Sequence, residues 1–278
     1  MRAKELAAFI KERDLIRLRK EDGVKRPWTT DPILHKFRFC NIRREDDRVT
    51  RWLRNNWYFH FAGDPDIWFA AVVARLLNFP YSLDAIRNEV LPFNPKVFAK
   101  LLHARKALGL KNFNAAYIVS TNGVAMDKVD YLVERVLTPL WHDRKMLRPK
   151  PHVTLEIYHA LLMHYDGLGS FIAAQVIGDL KYISGPLRDT DDWNAFAASG
   201  PGSKRGLNRV LGRAPDTPWR EMDWRMVLEE LADKASIKKF KLHNQDLQNC
   251  LCEFDKYERA RLGEGTPKQI YKENESCW

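Results

Sequence analysis

What the 278 residues lack narrows the field first. There are only four cysteines, Cys40, Cys250, Cys252 and Cys277, and none forms a C-x-x-C pair. No histidine cluster supplies companion ligands, so neither a structural zinc nor an iron–sulfur cluster is expected. Cys250 and Cys252 fall in a helical stretch where side chains two apart diverge, and free thiols in a reducing compartment are the expectation. No run of about eighteen apolar residues occurs, and the charged start Met1-Arg-Ala-Lys-Glu has no signal-peptide character. A soluble, cytoplasmic protein with no membrane partner is expected. No G-x-x-x-x-G-K-[ST] loop is present, which argues against a self-contained P-loop kinase. Strand signals are sparse, the short run Ala116-Tyr-Ile-Val-Ser being as compatible with a buried helix or turn. Internal repeats and low-complexity tracts are absent.

What is there fits a folded, polyanion-binding protein. Hydrophobic residues make up 45%, with nine Trp and fourteen Phe, enough for a sizeable core. Lys and Arg outnumber Asp and Glu by 46 to 36, a net +10 that favours salt-sensitive binding to nucleic acid. Apolar residues recur at helical spacing almost throughout. Residues 2–22 read as an amphipathic helix ending at Gly23, and Asp64–Leu77 as a core helix stopped by Pro80. Further helices are expected over Ser82–Val90, Asn94–Leu108, Asp127–Leu137 and Asn244 to about Arg261. The fold class is all-α, about ten helices in one domain spanning 1–278. Within it, 1–50 holds the first helix and an arginine-rich segment, 153–182 a helical hairpin, and 244–278 the last helix and a tail.

The hairpin is the stretch around which the rest is organised. An apolar segment, Val153–Met163, is separated from a second, Phe171–Leu180, by Tyr165-Asp-Gly-Leu-Gly-Ser170. Gly167 and Gly169 let the backbone turn sharply, Leu168 is placed to plug between the helices, and Ala173 and Ala174 to let them pack closely. The first amides of the second helix, from Ser170 on, then point outward as an anion site that grips a phosphate without reading sequence. The alternative is an ordinary helical turn closed by glycine.

Three other stretches carry chemistry-bearing residues. Cys40–Trp52 packs Arg43, Arg44, Arg48 and Arg51 around Asp46 and Asp47, and on a helix Arg44, Arg48 and Arg51 share a face. A solvated surface explains most such runs, yet the flanking Phe37, Phe39 and Trp52 suggest half-buried arginines in need of anionic partners. Gly200-Pro-Gly-Ser-Lys-Arg-Gly-Leu-Asn-Arg209 offers free amides, Ser203, Lys204, Arg205 and Arg209 at a helix start, the makings of a phosphate cradle or else of a basic surface loop. Cys252-Glu-Phe-Asp-Lys-Tyr257 puts Glu253, Lys256 and Tyr257 within one turn, an acid/base pair or a plain i, i+3 salt bridge.

The hairpin with Asp189 eighteen residues past Phe171 resembles the helix-hairpin-helix DNA glycosylase superfamily. That resemblance implies a catalytic aspartate at Asp189, with Asp191 and Asp192 close by. The chain departs from the glycosylase/lyase subgroup in having Phe171 where those enzymes carry a nucleophilic lysine, which puts Schiff-base chemistry in doubt.

Four motifs in order resemble one family more closely. They are Asp31-Pro-Ile-Leu-His-Lys-Phe-Arg-Phe-Cys-Asn-Ile-Arg-Arg-Glu-Asp-Asp-Arg-Val-Thr-Arg-Trp52, Asn56-Trp-Tyr58, Gly200–Arg209 and Cys252–Tyr257. The family is the phage DNA-base hypermodification group labelled α-glutamyl/putrescinyl thymine pyrophosphorylase, with the amino acid:DNA transferases, related to the helical domain of 5-hydroxymethyluracil DNA kinases. The resemblance implies a glycosylase-like helical fold that acts on double-stranded DNA bearing 5-pyrophosphoryloxymethyl-deoxyuridine, in the cytoplasm of an infected bacterial cell. An amino acid or polyamine donor displaces pyrophosphate from the thymine methyl carbon. Arg43 and Arg44, with Arg48, suit the leaving group, and Asp189 or Glu253 suits the base that takes a proton from the amine. Asn41, Arg48, Trp57, Tyr58, Lys256 and Tyr257 are expected at the substrate, Trp57, Tyr58 or Trp193 stacking an extruded base. Gly167, Gly169, Ser170, Ser203, Lys204, Arg205 and Arg209 are expected on the DNA backbone. No cofactor is expected, save room for a monovalent cation at the hairpin, and a hydroxymethyluracil DNA kinase is a candidate partner. The competing expectations are an N-glycosylase for a modified base and a non-catalytic DNA-binding partner of such a kinase.

Overall fold

The computed structural model describes residues 1–114 and 120–271. Cys277 and the run Ala116–Val119 lie outside them. Among the described residues every regular element is helical, the only β pairing being two isolated bridges, Phe37 with Ile270 and Val90 with Phe93.

Helix α1, Ala3–Glu21, buries Leu6, Phe9, Ile10 and Ile16 and ends where Gly23 takes φ +72°. The short α2, Pro32–Lys36, starts on Asp31, whose carboxylate accepts from the Ile33 and Leu34 amides. Helix α3, Arg48–Trp52, widens into a π-wound stretch, Leu53–Tyr58. Helix α4, Ile67–Leu77, is buried on nearly every side and ends on Asn78, whose left-handed φ of 47° turns the chain. Pro80 therefore opens α5, Pro80–Ile86, rather than ending α4; its missing N–H costs nothing in a first turn.

Helix α6, Pro95–Ala107, is capped by Asn94 and closed near Gly109. Helix α7, Lys128–Asp130, runs into a second π-wound stretch, Tyr131–Leu137, followed by α8, Thr138–His142, and α9, Arg144–Leu147. Then come α10, Leu155–Leu162, α11, Ser170–Ile183, and the single turn α12, Gly185–Arg188. The chain closes with α13, Pro201–Leu211, α14, Glu221–Ala232, α15, Ala235–Lys238, and α16, Asn244–Arg261.

The chain forms two compact units. One joins Met1–Asp47 to the chain from Asn194 onward. Its core sets Leu6, Phe9 and Ile10 of α1 against Leu207 and Val210 of α13, Trp224 and Leu228 of α14, and Leu247, Leu251 and Phe254 of α16. The other, Arg48–Trp193, is built around α4, which lies along α11. Trp57 is fully enclosed there and donates its indole N–H to the Ala70 carbonyl at 2.9 Å. At the centre of this unit Arg75 of α4 and Asp179 of α11 form a buried two-point ion pair.

Candidate functional site

Of the two glycines expected to turn the hairpin between α10 and α11, only Gly167 takes a positive φ. Gly167 sits at φ +76°, where a Cβ would come within 2.8 Å of the Val136 side chain, so both conformation and space call for glycine. Leu168 and Ala173 are fully buried, and Ala174 nearly so. Gly169 is the residue before α11 at φ −61°, an ordinary extended conformation with open space beside it. His159 donates from Nε2 to the Ser170 carbonyl at 3.0 Å, tying the start of α11 back to α10. Tyr165 donates to Asp143 at 2.8 Å, and burial together with that carboxylate pushes its phenol up to about 12. The turn is thus held from behind, and the exposed Gly169 and Phe171 form its outer edge.

Beyond α11 the three aspartates divide by role. The Asp192 carboxylate accepts from the Leu155 and Glu156 amides, both at 2.9 Å, and so caps α10 together with Thr154. Asp189 and Asp191 are exposed, Asp189 directly after Arg188 at the end of α12. Trp193 is locked to Lys181: the indole donates to the Lys181 carbonyl, the ammonium donates to the Trp193 carbonyl, both at 2.9 Å, and the ammonium lies 3.9 Å from the ring centroid. Between α12, the end of α11 and the segment from the π-wound stretch to Asp64 opens a cleft of about 570 Å³. Tyr58 and Tyr182 line it with three arginines, Arg54, Arg148 and Arg188, and the 79% exposed ring of Phe59. Tyr58 presents its ring there while its hydroxyl donates to Asp179 at 2.5 Å.

In the other unit the arginine-rich segment is clamped onto α16. Glu253, buried, accepts the Cys40 amide at 3.0 Å and pairs with Lys256 at 2.5 Å. Asp246 accepts the Arg44 amide, and Asn249 donates to the Asn41 carbonyl. Asn41 in turn donates to the Asp46 carbonyl, and Arg43 reaches the Phe240 carbonyl at 2.8 Å with Asp14 nearby. Lys256 lies over the Phe39 ring, and Tyr257 donates to Asp31 at 2.7 Å; burial and that carboxylate hold its phenol above its usual range, so it stays protonated. The segment is not one helix. A single 3-10 turn, Arg44–Asp46, gives way to extended backbone at Asp47 before α3 begins, so Arg44 does not share a helical face with Arg48 and Arg51.

The glycine-rich stretch Gly200–Arg209 starts α13, and Gly202 and Gly206 face α16. A Cβ on Gly202 would meet the Cys252 sulfur at 2.5 Å, and one on Gly206 the Leu251 carbonyl oxygen at 2.0 Å. These two positions, four apart, let the helices touch backbone to backbone. Ser203 is fully buried and closes the first turn by accepting from the Gly200 amide. Arg205 and Arg209 both converge on Asp255, at 3.0 and 2.9 Å, and Arg209 also meets Glu264. Lys204 and Arg205 keep about a third of their side-chain surface exposed. The buried thiol of Cys250 is pushed up to about 11 by burial, and the half-buried Cys252 is raised for the same reason.

The structure therefore brings Asn41, Arg43, Arg44, Glu253, Lys256 and Tyr257 together in one unit, with Ser203, Lys204, Arg205 and Arg209 on the neighbouring α13. Tyr58 lines one cleft in the other unit, Asp189 follows its lining residue Arg188 in the chain, and the same unit holds Arg48, Trp57, Gly167, Gly169 and Ser170. Sequence reasoning missed the cleft residues Arg54, Phe59, Arg148 and Arg188. Two signals were present: Arg188 immediately precedes Asp189, and Phe59 immediately follows Asn56-Trp-Tyr58. Among the described residues one set has the spacing of metal ligands, His103, Asp127 and Asp130, but Asp127 already pairs with Lys106.

These features describe an all-α protein with a capped helical hairpin and an arginine-lined cleft. The family described as 5-hmdU DNA kinase, helical domain, matches residues 2–266, and the chain belongs to it. No curated protein and no solved structure matches.

Proposed function

We propose that the protein takes part in thymine hypermodification in DNA, transferring an amino acid or polyamine onto 5-pyrophosphoryloxymethyl-deoxyuridine. The observation that carries this reading is the family match over 2–266, since the family is named for a kinase that acts on 5-hmdU DNA. The net charge of +10 supports a DNA partner. In this reading the fold is a helix-hairpin-helix glycosylase-like one, used for substitution rather than excision. The α11 amides beside Gly169 hold a DNA phosphate, and Lys204 and Arg205 hold another.

In the reaction the amine nitrogen bonds to the exocyclic carbon, the carbon–oxygen bond breaks, and pyrophosphate leaves with the bonding electrons. The proton lost by the amine goes to a carboxylate, and Asp189 suits that role because it is exposed and follows the cleft residue Arg188 in the chain. Glu253 suits it less, being already engaged by the Cys40 amide and Lys256. Of the arginines expected to neutralise the leaving group, Arg43 is held by Phe240 and Asp14, whereas Arg48 is exposed.

A second reading is favoured by one fact: the family is described as the helical domain of a kinase rather than as a transferase. In that reading the chain presents DNA to a separate kinase and catalyses nothing. Nucleoside mass spectrometry separates the two. The purified protein is incubated with 5-pyrophosphoryloxymethyl-deoxyuridine DNA and pooled amino acids and polyamines. A thymidine–amine adduct with released pyrophosphate supports the transferase. Free base in solution means a glycosylase. Unchanged nucleosides, with kinase turnover raised when the chain is added, mean the binding partner.

A further inference from the structure

We infer that the cleft beside α12 is the pocket for a phosphorylated pyrimidine, with Phe59 stacking on the ring and Arg188 taking the phosphoryl oxygens. This rests on the reading above that the DNA base carries a pyrophosphoryl group. The volume of about 570 Å³ lies in the range of small-molecule sites. The chemistry of its lining is uneven in an informative way. Arg148 is spoken for: Asp66 grips its guanidinium at two points, both 2.8 Å, so it shapes the wall and adds little charge. Arg188 has no ion-pair or hydrogen-bond partner among the described residues and stands exposed on the single turn α12. Arg54, which has a partner of its own, also lines the cleft, and Asp64 is the one carboxylate on the lining. The balance is cationic, suited to a group carrying more than one negative charge.

Phe59 supplies what the arginines do not. A phenyl ring left 79% exposed, with the rings of Tyr58 and Tyr182 also on the lining, offers a flat apolar face that core packing does not use. Stacking on such a face is worth about 1–3 kcal/mol for a nucleobase. A ring face beside a cationic end matches a base that bears its charge on a short arm. A DNA backbone phosphate needs no such ring. Asp189 follows Arg188 in the chain, and in this reading it serves the arm where the carbon–oxygen bond breaks.

The test uses the full-length protein and its Arg188→Ala, Arg188→Lys and Phe59→Ala variants, all at exposed positions, with thermal melting to check the fold. Affinity is measured for two duplexes of one sequence, with and without 5-pyrophosphoryloxymethyl-deoxyuridine, and for inorganic pyrophosphate; initial rates of amine transfer are measured alongside. Arg188→Ala is expected to weaken binding of the modified duplex and of pyrophosphate about tenfold or more. The unmodified duplex should bind as before, and Arg188→Lys should recover part of the loss. Phe59→Ala should weaken the modified duplex and leave pyrophosphate binding unchanged. Equal weakening of both duplexes by Arg188→Ala would make Arg188 a backbone contact and overturn the assignment. Variants that keep wild-type affinity and KM would overturn it while leaving the transfer reaction standing. A wild-type protein that prefers the modified duplex through Arg188, yet forms no adduct, would uphold the pocket and sink the reaction.

Discussion

Arg75 and Asp179 meet in the middle of their unit with almost no solvent exposure, Nε and Nη2 of the arginine each 2.5 Å from a carboxylate oxygen. The pair does not stand alone. Thr50 accepts from Arg75 at 3.0 Å, Asn78 accepts from it at 3.2 Å, and Tyr58 donates to Asp179. One hydrogen-bonded group thus joins α3, the π-wound stretch, α4 and α11. It also fixes the ring of Tyr58 on the cleft wall. A buried pair of this kind specifies an arrangement more surely than it adds net stability.

Removing either partner alone leaves a buried charge without its mate. Arg75→Met and Asp179→Leu are each expected to cost about 3–5 kcal/mol, and the double variant markedly less than their sum. Urea unfolding of the four proteins in the cycle measures the coupling. Additive losses would show that the two side chains do not act as a pair.

Gly206 and Gly169 make opposite predictions. Alanine at 206 drives a methyl into the Leu251 carbonyl on a neighbouring helix, so Gly206→Ala should cost about 3 kcal/mol or more through α13 and α16. Alanine at 169 meets nothing within 4 Å and keeps an ordinary φ, so the loss there should stay below about 1 kcal/mol. If the hairpin backbone lies against a DNA phosphate, Gly169→Ala weakens DNA binding while melting barely moves. Equal DNA affinity for Gly169→Ala and wild type would remove the hairpin from the interface.

The contrast between those glycines also shows where the sequence was readable. The hairpin was legible because its signal is local: Gly167 needs a positive φ, Leu168 is the apolar residue of the turn, and the alanines follow at helical spacing. The last helix, Asn244–Arg261, was legible for the same reason. Gly202 and Gly206 were not, because what they make room for is Leu251 and Cys252, almost fifty residues away. A glycine beside Lys and Arg looks the same whether its missing side chain admits a phosphate or a helix. Likewise Arg205 and Arg209 read as free cations until Asp255 is seen between them. The cleft was hidden because Arg54, Arg148 and Arg188 are scattered along the chain and converge only through the packing of α11 and α12.

Glu258 gives a pH-dependent handle on the first unit. Its carboxylate, 2% exposed, receives Arg2 and both ends of the Arg261 fork at 2.8–2.9 Å. Burial alone would raise its pKa, but the Arg261 and Arg2 guanidiniums outweigh that and hold it below the ordinary 4.5. A carboxylate depressed in the folded state adds stability above its unfolded pKa and loses it as pH falls through the folded value. Glu258→Gln should therefore cost about 1–3 kcal/mol at pH 7, with the gap to wild type narrowing once the pH drops below about 4.5. Denaturant midpoints across that range check the sign. A gap that widens in acid would mean that Glu258 is protonated in the folded protein.

Asp189 and Asp192, three residues apart, should separate cleanly under the same conservative substitution. Asp192 accepts two amides of α10 with its two carboxylate oxygens, so Asp192→Asn gives up a charged cap and should cost about 0.5–2 kcal/mol. Asp189 is exposed, so Asp189→Asn should change stability by no more than about 0.5 kcal/mol. The asparagine keeps the size and loses the basicity, and amine transfer should fall about 100-fold or more if Asp189 takes the proton from the incoming nitrogen. DNA affinity should hold, because no contact to the backbone is removed. The informative readout is the split between chemistry and binding: kcat for amine transfer should fall while DNA affinity and KM stay at the wild-type values. A variant that keeps the wild-type kcat would move the base elsewhere, and one that raises KM with kcat unchanged would leave Asp189 as a group that only binds the amine.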